Sequence, residues 1–209
     1  MISYGKQSIN QDDIDAVVDV LKSDFLTQGP KVVEFENDLA NYCEAKYAKA
    51  VNNGTAALHL AYLAIGLEQG DIVWTTPNTF VATANAALYC GATVDFVDID
   101  PKTYNLSIDY LKEKLIQAKK DNKLPKLVVP VHFAGQSCEM KAIWKLSKEY
   151  GFKVIEDASH ALGGEYLNNK VGNCEYSDMA VFSFHPVKMI TTGEGGAITT
   201  NNEKLNEKI

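Results

Sequence analysis

Short apolar runs and stretches of helical periodicity alternate along most of this chain, and this rhythm limits the folds that it can adopt. Parallel strands need a crossover connection, usually a helix, so the alternation predicts an α/β fold with a mostly parallel sheet and helices on both faces. The predicted strands are 48–51, 72–75, 94–97, 127–131, 153–155, 180–184 and 197–200. The hairpin-like stretch around Gly195 and Gly196 predicts at least one antiparallel strand.

Two helices are predicted ahead of the first strand. The first has an apolar face and Asn10 as a candidate N-cap, and the second repeats apolar residues at Phe35, Leu39 and Tyr42. The apolar positions of the first are Ile14, Val17, Val18 and Leu21. With 209 residues, of which 46% are hydrophobic, the chain can bury one substantial core. We therefore expect residues 1–209 to form a single domain.

Lys188 is the first candidate for chemistry, because it lies between an apolar strand and the glycine-rich stretch 193–196. A lysine amine is protonated at neutral pH unless its surroundings lower its pKa, and burial beside a strand end has that effect. A neutral amine can form an imine with an aldehyde, which points to pyridoxal 5'-phosphate as cofactor. The alternative is a surface lysine that caps a hairpin.

The ring nitrogen of pyridoxal 5'-phosphate needs a fixed carboxylate beside it to stay protonated. Asp157 meets that need, because it follows the apolar run 152–156 and so lies where a parallel strand ends. Open α/β sheets bind their ligands at this edge. Aspartate is also a favoured helix N-cap, and that interpretation of Asp157 stays open.

The phosphate and the flat face of the ring have candidates as well. Gly54 and Thr55 follow a predicted strand and open a helix, whose free N–H groups suit a phosphate, and Ser183 can add a hydroxyl. An ordinary strand-to-helix turn has similar residue types. Phe80 begins another helix and can stack on the ring face, although core packing is its default explanation.

Four blocks of the sequence, taken in order, carry a family resemblance. They are 53–58, 79–83, 156–163 and 182–196. In these blocks the chain resembles the pyridoxal-phosphate-dependent nucleotide-sugar aminotransferases of the DegT/DnrJ/EryC1/StrS family. The segment 157–166, with His160 where relatives usually carry glutamine, is most similar to the UDP-sugar 4-aminotransferases of pseudaminic acid biosynthesis.

The resemblance implies a role for each candidate. Lys188 would bond to the cofactor and move protons, Asp157 would pair with the ring nitrogen, and His160 would lie near the ring hydroxyl. The implied phosphate ligands are Gly54, Thr55 and Ser183. Related sugar dehydratases carry histidine in place of Lys188, so the lysine implies transamination. The implied amino donor is glutamate, and the implied acceptor is a UDP-linked deoxysugar with a 4-keto group.

The resemblance also implies contacts with the nucleotide sugar near the N-terminus. The implied substrate-binding residues are Tyr4, Asp24, Phe25, Leu26 and Thr27. The segment 25–30 would serve equally well as a loop between two helices.

The resemblance covers nearly all of this sequence but only the cofactor-binding half of the family's chains, which is the large domain of fold-type I transferases. The sequence ends inside a charged helical pattern, 202–209, without a C-cap glycine. We therefore expect the N-terminal part of a longer chain, with the small C-terminal domain absent. A non-catalytic fragment that binds the cofactor or a partner is the competing hypothesis. The family's sites form between subunits, which implies a homodimer.

Composition and missing motifs argue against other classes. A net charge of -7 and a pI near 5.1 disfavour nucleic acid and anionic membranes as partners. No apolar run reaches membrane-span length and no signal peptide is recognisable, which predicts a cytoplasmic protein. Dinucleotide-binding, P-loop and serine-hydrolase signatures do not occur. The four cysteines and four histidines lack disulfide or metal spacing, so we expect buried free thiols and no metal site.

Overall fold

The computed structural model of the chain describes residues 5–209, so Tyr4 lies outside the described residues. The helices are α1 (Gln11–Lys22), α2 (Pro30–Cys43), α3 (Gly54–Ala64), α4 (Val81–Tyr89), α5 (Ile108–Lys120), a 3-10 turn (Phe133–Gly135), α6 (Met140–Tyr150) and α7 (Glu203–Asn206). The strands are β1 (Tyr47–Val51), β2 (Ile72–Thr75), β3 (Thr93–Phe96), β4 (Leu127–Val128), β5 (Lys153–Asp157), β6 (Glu165–Tyr166), β7 (Asn169–Lys170), β8 (Met179–Ser183) and β9 (Gly196–Thr200).

Seven of the strands form one sheet in the order β1-β9-β8-β5-β4-β2-β3. From β8 to β3 all neighbours pair in parallel, whereas β9 is antiparallel to both β8 and β1. The α/β class, the mostly parallel sheet and the antiparallel strand after Gly195 are therefore confirmed. The two remaining strands, β6 and β7, form a small hairpin whose turn residues Leu167 and Asn168 both have positive φ. The sequence analysis missed this hairpin.

Neighbouring residues of each central strand face opposite layers, which is why the strands read as continuous apolar runs. On β2, Val73 packs with α3 and α4, whereas Trp74 packs with α5 and α6. Leu127 and Val128 on β4 divide in the same way. A third cluster packs α2 against β8 and β9 through Phe182 and its neighbours. Helices consequently cover both faces of the sheet, as predicted.

The two predicted N-terminal helices are confirmed. α1 begins with a capping box, in which Asn10 Oδ1 accepts the Asp13 N–H at 3.0 Å and Asp13 Oδ2 accepts the Asn10 N–H at 2.9 Å. The apolar face of α1 is not buried, however, since Val17 is 60% exposed and Leu21 is 63% exposed. Val18 on this face is partly covered, and no residue of α1 is buried.

The four cysteines are free thiols, and three of them, Cys43, Cys138 and Cys174, are buried. Residues 5–209 bring together no group of histidine, cysteine and acidic side chains that could hold a metal ion. Over the same residues, no helix combines the length and the apolar character that crossing a membrane requires.

Candidate active site

A cavity of about 740 Å³ opens where the carboxyl ends of the parallel strands meet. Its walls are formed by the segments that follow β1, β2, β4, β5 and β8, so residues far apart in sequence converge there. All of the predicted cofactor residues line it: Gly54, Thr55, Phe80, Asp157, His160, Ser183 and Lys188.

Of the predicted substrate residues of the N-terminal region, those that the structure describes do not line this cavity. Four of them lie in the exposed loop between α1 and α2: Asp24, Phe25, Leu26 and Thr27. The interpretation of this segment as a loop between two helices is therefore confirmed. Contact of these residues with a nucleotide sugar stays a prediction, as does that of Tyr4.

Asp157 is the last residue of β5 and is only 5% exposed. Thr83 Oγ1 donates to its Oδ2 at 2.6 Å, and Ser159 donates to its Oδ1 twice, from Oγ at 2.6 Å and from the backbone N–H at 3.2 Å. The next element after Asp157 is the strand β6 and not a helix, so the helix N-cap interpretation is wrong. The carboxylate is instead fixed from two sides at the floor of the cavity.

Lys188 lies in the loop between β8 and β9 and is half-buried. Burial lowers the pKa of its ammonium group, and the negative charge of Asp157 opposes that lowering. Burial also lowers the pKa of His160, the positive charge of Lys188 adds to the lowering, and Asp157 opposes it. All three ionisable groups line the cavity, and Lys188 is a half-buried residue of the loop that joins the antiparallel strands β8 and β9, so it is not a fully exposed surface lysine.

The start of α3 forms another wall of the cavity. Asn53 is its N-cap and accepts the Ala56 N–H on Oδ1 at 2.8 Å. The N–H groups of Gly54 and Thr55 precede the first intrahelical hydrogen bond, so they can serve an anion. A Cβ on Gly54 would lie 3.0 Å from Cβ and 3.3 Å from Oγ of Ser183, so glycine permits the close approach of this hydroxyl.

Phe80 occupies the N-cap position of α4 and is 74% exposed. Its interpretation as a core residue is therefore wrong. The largely exposed ring lines the cavity, which suits contact with a flat ligand.

Sequence analysis missed several residues that build the site. Thr83 and Ser159 hold Asp157, and only Ser159 carried a sequence signal, because it stands two residues after the aspartate, the spacing of an Asx turn. His132 is buried, its backbone N–H donates to the Asp157 carbonyl at 3.1 Å, and its Nε2 lies 2.7 Å from Glu156 Oε2. Because His132 Nδ1 accepts a backbone N–H, Nε2 carries the proton and donates to Glu156.

These groups match the parts of pyridoxal 5'-phosphate. The amine of Lys188 suits the aldehyde, the carboxylate of Asp157 suits the ring nitrogen, and the N-terminus of α3 with Ser183 suits the phosphate. The narrow gap between Gly54 and Ser183, which a Cβ would fill, lies at the phosphate end. The residues present therefore fit this cofactor.

Comparisons with known proteins agree with this geometry. Residues 7–209 match the DegT/DnrJ/EryC1/StrS aminotransferase family. Over 209 residues the chain is 48% identical to a UDP-4-amino-4,6-dideoxy-N-acetyl-beta-L-altrosamine transaminase of Campylobacter jejuni, covering 100% of this chain and 54% of that protein. It is also similar to the structure of Helicobacter pylori PseC, an aminotransferase of pseudaminic acid biosynthesis, with a TM-score of 0.91 and 40% identity over 99% of this chain and 54% of that one. Bacillus subtilis NtdA, with bound cofactor PMP, has a TM-score of 0.82 and 33% identity over 96% of this chain and 44% of that one.

The site and its fold define a class of pyridoxal-phosphate-dependent aminotransferases, and the chain belongs to the DegT/DnrJ/EryC1/StrS family within it. Its similarity to the pseudaminic acid branch, expected from the segment around His160, is confirmed. The chain spans about half the length of the curated relatives that it matches.

Loss of the α3 cap should weaken cofactor binding. In Asn53→Ala the Ala56 N–H loses its acceptor, and we expect a decrease of about 1 kcal/mol in the free energy of unfolding together with weaker binding of pyridoxal 5'-phosphate. Ser107→Ala is the matched control, because Ser107 caps α5 away from the cavity. It should cost similar stability without changing cofactor affinity. Denaturant unfolding and cofactor titration separate the two effects. Equal affinity for pyridoxal 5'-phosphate in Asn53→Ala and Ser107→Ala would contradict a role of the α3 N-terminus in binding the cofactor.

Proposed function

We propose that this chain carries the cofactor site of a nucleotide-sugar aminotransferase that uses pyridoxal 5'-phosphate. The reaction moves an amino group from glutamate to the 4-keto position of a UDP-linked deoxysugar. The observation that carries the proposal is the convergence of Lys188 and Asp157 on one cavity beside the free N-terminus of α3.

When bound, the cofactor supplies an electron-withdrawing ring that stabilises negative charge on the carbon next to the transferred nitrogen. Asp157 keeps the ring nitrogen protonated, and burial strengthens that pairing. Lys188 anchors the cofactor and, once released, moves protons to and from that carbon. Its lowered pKa raises the share of neutral amine that can accept a proton near neutral pH.

The remaining residues bind and orient. Gly54, Thr55 and Ser183 hold the phosphate through two N–H groups and hydroxyls. Phe80 covers one face of the ring, and His160 lies on the side of the ring hydroxyl. The position of these groups around a single cavity supports the roles, which were predicted from residue type and position and, for His160, from the family resemblance.

The substrate assignment is supported by the relatives. The similar protein of Campylobacter jejuni is named as a transaminase of a UDP-linked 4-amino-4,6-dideoxy sugar, and Helicobacter pylori PseC acts in pseudaminic acid biosynthesis. The proposal extends the same acceptor class to this chain, with glutamate as the donor. It also includes residues 1–209 as one cofactor-binding domain, the N-terminal part of a longer chain.

A homodimer is part of the proposal. The exposed apolar face of α1 continues into the loop that follows it, where Phe25 is 60% exposed and Leu26 is 66% exposed. An apolar surface of this kind marks contact with another chain or segment. The cytoplasmic location expected from the sequence stays a prediction.

A non-catalytic fragment is the second candidate, and one observation favours it. The chain spans only 54% of its relative from Campylobacter jejuni, so surfaces that complete the site in that protein can lie outside the matched half. Under this alternative the chain binds the cofactor and does not catalyse amino transfer.

The two candidates separate on product formation. We expect purified protein, supplied with pyridoxal 5'-phosphate, glutamate and a UDP-4-keto-deoxysugar, to form 2-oxoglutarate and the aminated sugar nucleotide in equal amounts, as measured by coupled assay and mass spectrometry. Omitting the sugar nucleotide should limit 2-oxoglutarate to one equivalent of bound cofactor. Cofactor binding without turnover would favour the fragment, and no cofactor binding would contradict both candidates.

A further inference from the structure

Two threonine hydroxyls link the carboxylate of Asp157 to the wall of the cavity. Thr83 Oγ1 lies 2.6 Å from Asp157 Oδ2, and Thr79 Oγ1 lies 2.8 Å from Thr83 Oγ1. Thr83 is fully buried, whereas Thr79 is half-buried and lines the cavity. Thr79 lies two residues before the first helical residue of α4 and Thr83 lies in its first turn, so the hydroxyl contact joins the segment before the helix to the helix itself.

The protons in this chain of hydroxyls have a single arrangement. An ionised carboxylate only accepts hydrogen bonds, so the one proton of the Thr83 hydroxyl goes to Asp157. Thr79 must then donate its own proton to Thr83. The order of donation is therefore Thr79 to Thr83 to Asp157, and hydrogen bonds that follow one another in this way polarise and strengthen each other.

The backbone around Thr83 is fixed as well. Its N–H donates to the Phe80 carbonyl at 3.1 Å, and its carbonyl accepts the hydroxyl of Tyr62 at 3.0 Å. Tyr62 is fully buried, and burial, followed by the charge of Asp157, raises its pKa well above the ordinary value. The first turn of α4 thus holds both the ring of Phe80 and the hydroxyl that contacts Asp157.

The hydrogen bonds leave one oxygen of Asp157 free to accept another. Oδ1 already accepts two bonds from Ser159, and Oδ2 accepts only the bond from Thr83. Each carboxylate oxygen has about two acceptor sites. The open site is therefore on Oδ2, the oxygen that Thr83 holds.

We propose that Thr83, supported by Thr79, is a positioning residue that aims Oδ2 of Asp157 at the ring nitrogen of the cofactor. The inference rests on the proposed function and goes beyond it, because it assigns one oxygen of Asp157 and the hydroxyls that orient it. Thr83 itself takes no part in covalent chemistry.

The experiment compares Thr83→Val with Thr83→Ser and Thr79→Val in the 209-residue chain. Valine keeps the shape of threonine and lacks the hydroxyl, whereas serine keeps the hydroxyl. Thr75→Val is the matched control, since Thr75 is a fully buried threonine on β2 whose hydroxyl donates to the Val129 carbonyl and does not contact Asp157. Denaturant unfolding of each variant identifies any loss that comes only from folding.

Two readouts are taken without substrate: the affinity for pyridoxal 5'-phosphate and the pH midpoint of the visible band of the lysine-bound cofactor. In Thr83→Val we expect about tenfold weaker affinity, since a hydrogen bond to a charged group is lost. We also expect the midpoint to shift upward by about one pH unit. Without the Thr83 hydroxyl the ring nitrogen carries less positive charge, so it repels the proton on the lysine linkage more weakly. Thr79→Val should shift the midpoint in the same direction by a smaller amount. Thr83→Ser and Thr75→Val should match the unsubstituted protein.

The outcomes distinguish this inference from the proposed function. A midpoint in folded Thr83→Val equal to that of Thr75→Val would overturn the positioning role and leave the proposed function intact. If Thr83→Val does not fold, Thr79→Val provides the test instead. Its pH midpoint must then be higher than that of Thr75→Val, and an equal midpoint would overturn the positioning role. A visible band missing from the unsubstituted protein would overturn both.

Discussion

Lys188→Ala is expected to abolish the visible absorbance band that the protein develops with pyridoxal 5'-phosphate and to remove transaminase turnover. Among the described residues that line the cavity, this amine is the one group suited to bond with the cofactor aldehyde, and its pKa is lowered by burial, which favours that bond. Because the same amine moves the protons, turnover should fall on the order of 10⁴-fold, the upper end of what one positioned acid–base group contributes. Absorbance spectra before and after borohydride treatment, together with the product assay, measure both effects.

Two further variants separate the bond from the charge. Lys188→Arg keeps a positive charge near Asp157 but cannot form the imine, so it should also lack the band. Lys145→Ala removes an exposed lysine from α6, outside the cavity, and should leave spectrum and turnover unchanged. If Lys188→Ala still shows a visible band, and borohydride treatment fixes the cofactor to this variant, the cofactor bonds to another residue and the assignment of Lys188 is wrong.

The sequence was sufficient to predict the sheet because its central strands are buried on both faces and therefore stand out as apolar runs. Where hydrogen bonding rather than burial sets a boundary, the prediction was less accurate. The run 127–131 was predicted as one strand, yet β4 ends at Val128. Pro130 has no N–H for the ladder and only accepts, from the Asp157 N–H at 2.9 Å.

Residues whose chemical type suits one group of the cofactor could be predicted from the sequence. Residues that only hold those side chains in place could not. Asp157 ends a strand, Lys188 and Gly54 follow strand ends, and the rule for open α/β sheets brings such positions to one edge. Thr83 reaches Asp157 from 74 residues away in sequence, so no local spacing indicates that hydrogen bond. Phe80 shows the limit of composition, since an aromatic residue at a helix start is usually explained by packing, and here it is mostly exposed.

The N-terminal helix α1 illustrates a different limit. Its period and cap correctly predicted a helix, but an apolar face only indicates that something covers it. The identity of that partner depends on contacts outside the helix. Likewise, the implied substrate-binding residues that the structure describes, Asp24, Phe25, Leu26 and Thr27, do not line the cavity that residues 5–209 form.

Asp157→Asn should preserve the cofactor bond at Lys188 while reducing turnover by about 100- to 1,000-fold, the range for loss of one electrostatic partner in a buried site. The fixed Ser159 N–H and hydroxyl both donate to one side of the group, so the amide must turn its oxygen to them and its NH₂ towards Thr83. The Thr83 hydroxyl can then accept, and its proton turns to Thr79, so the fold loses little. At the ring nitrogen, however, the NH₂ donor of asparagine replaces the carboxylate acceptor, so the protonated form of the nitrogen is no longer stabilised.

Asp178→Asn is the matched control for this change. Asp178 also accepts a backbone N–H beside β5, from Val154 at 2.9 Å, and pairs with Lys153 at 2.9 Å, but it does not line the cavity. We expect this control to bind cofactor and turn over like the unsubstituted protein. Asp157→Asn should differ from it in the pH midpoint of the visible band, shifted upward as in Thr83→Val and further, because the charge itself is lost rather than misaligned. Turnover of Asp157→Asn within tenfold of the control would mean that the carboxylate does not act on the ring, whatever its distance from Lys188.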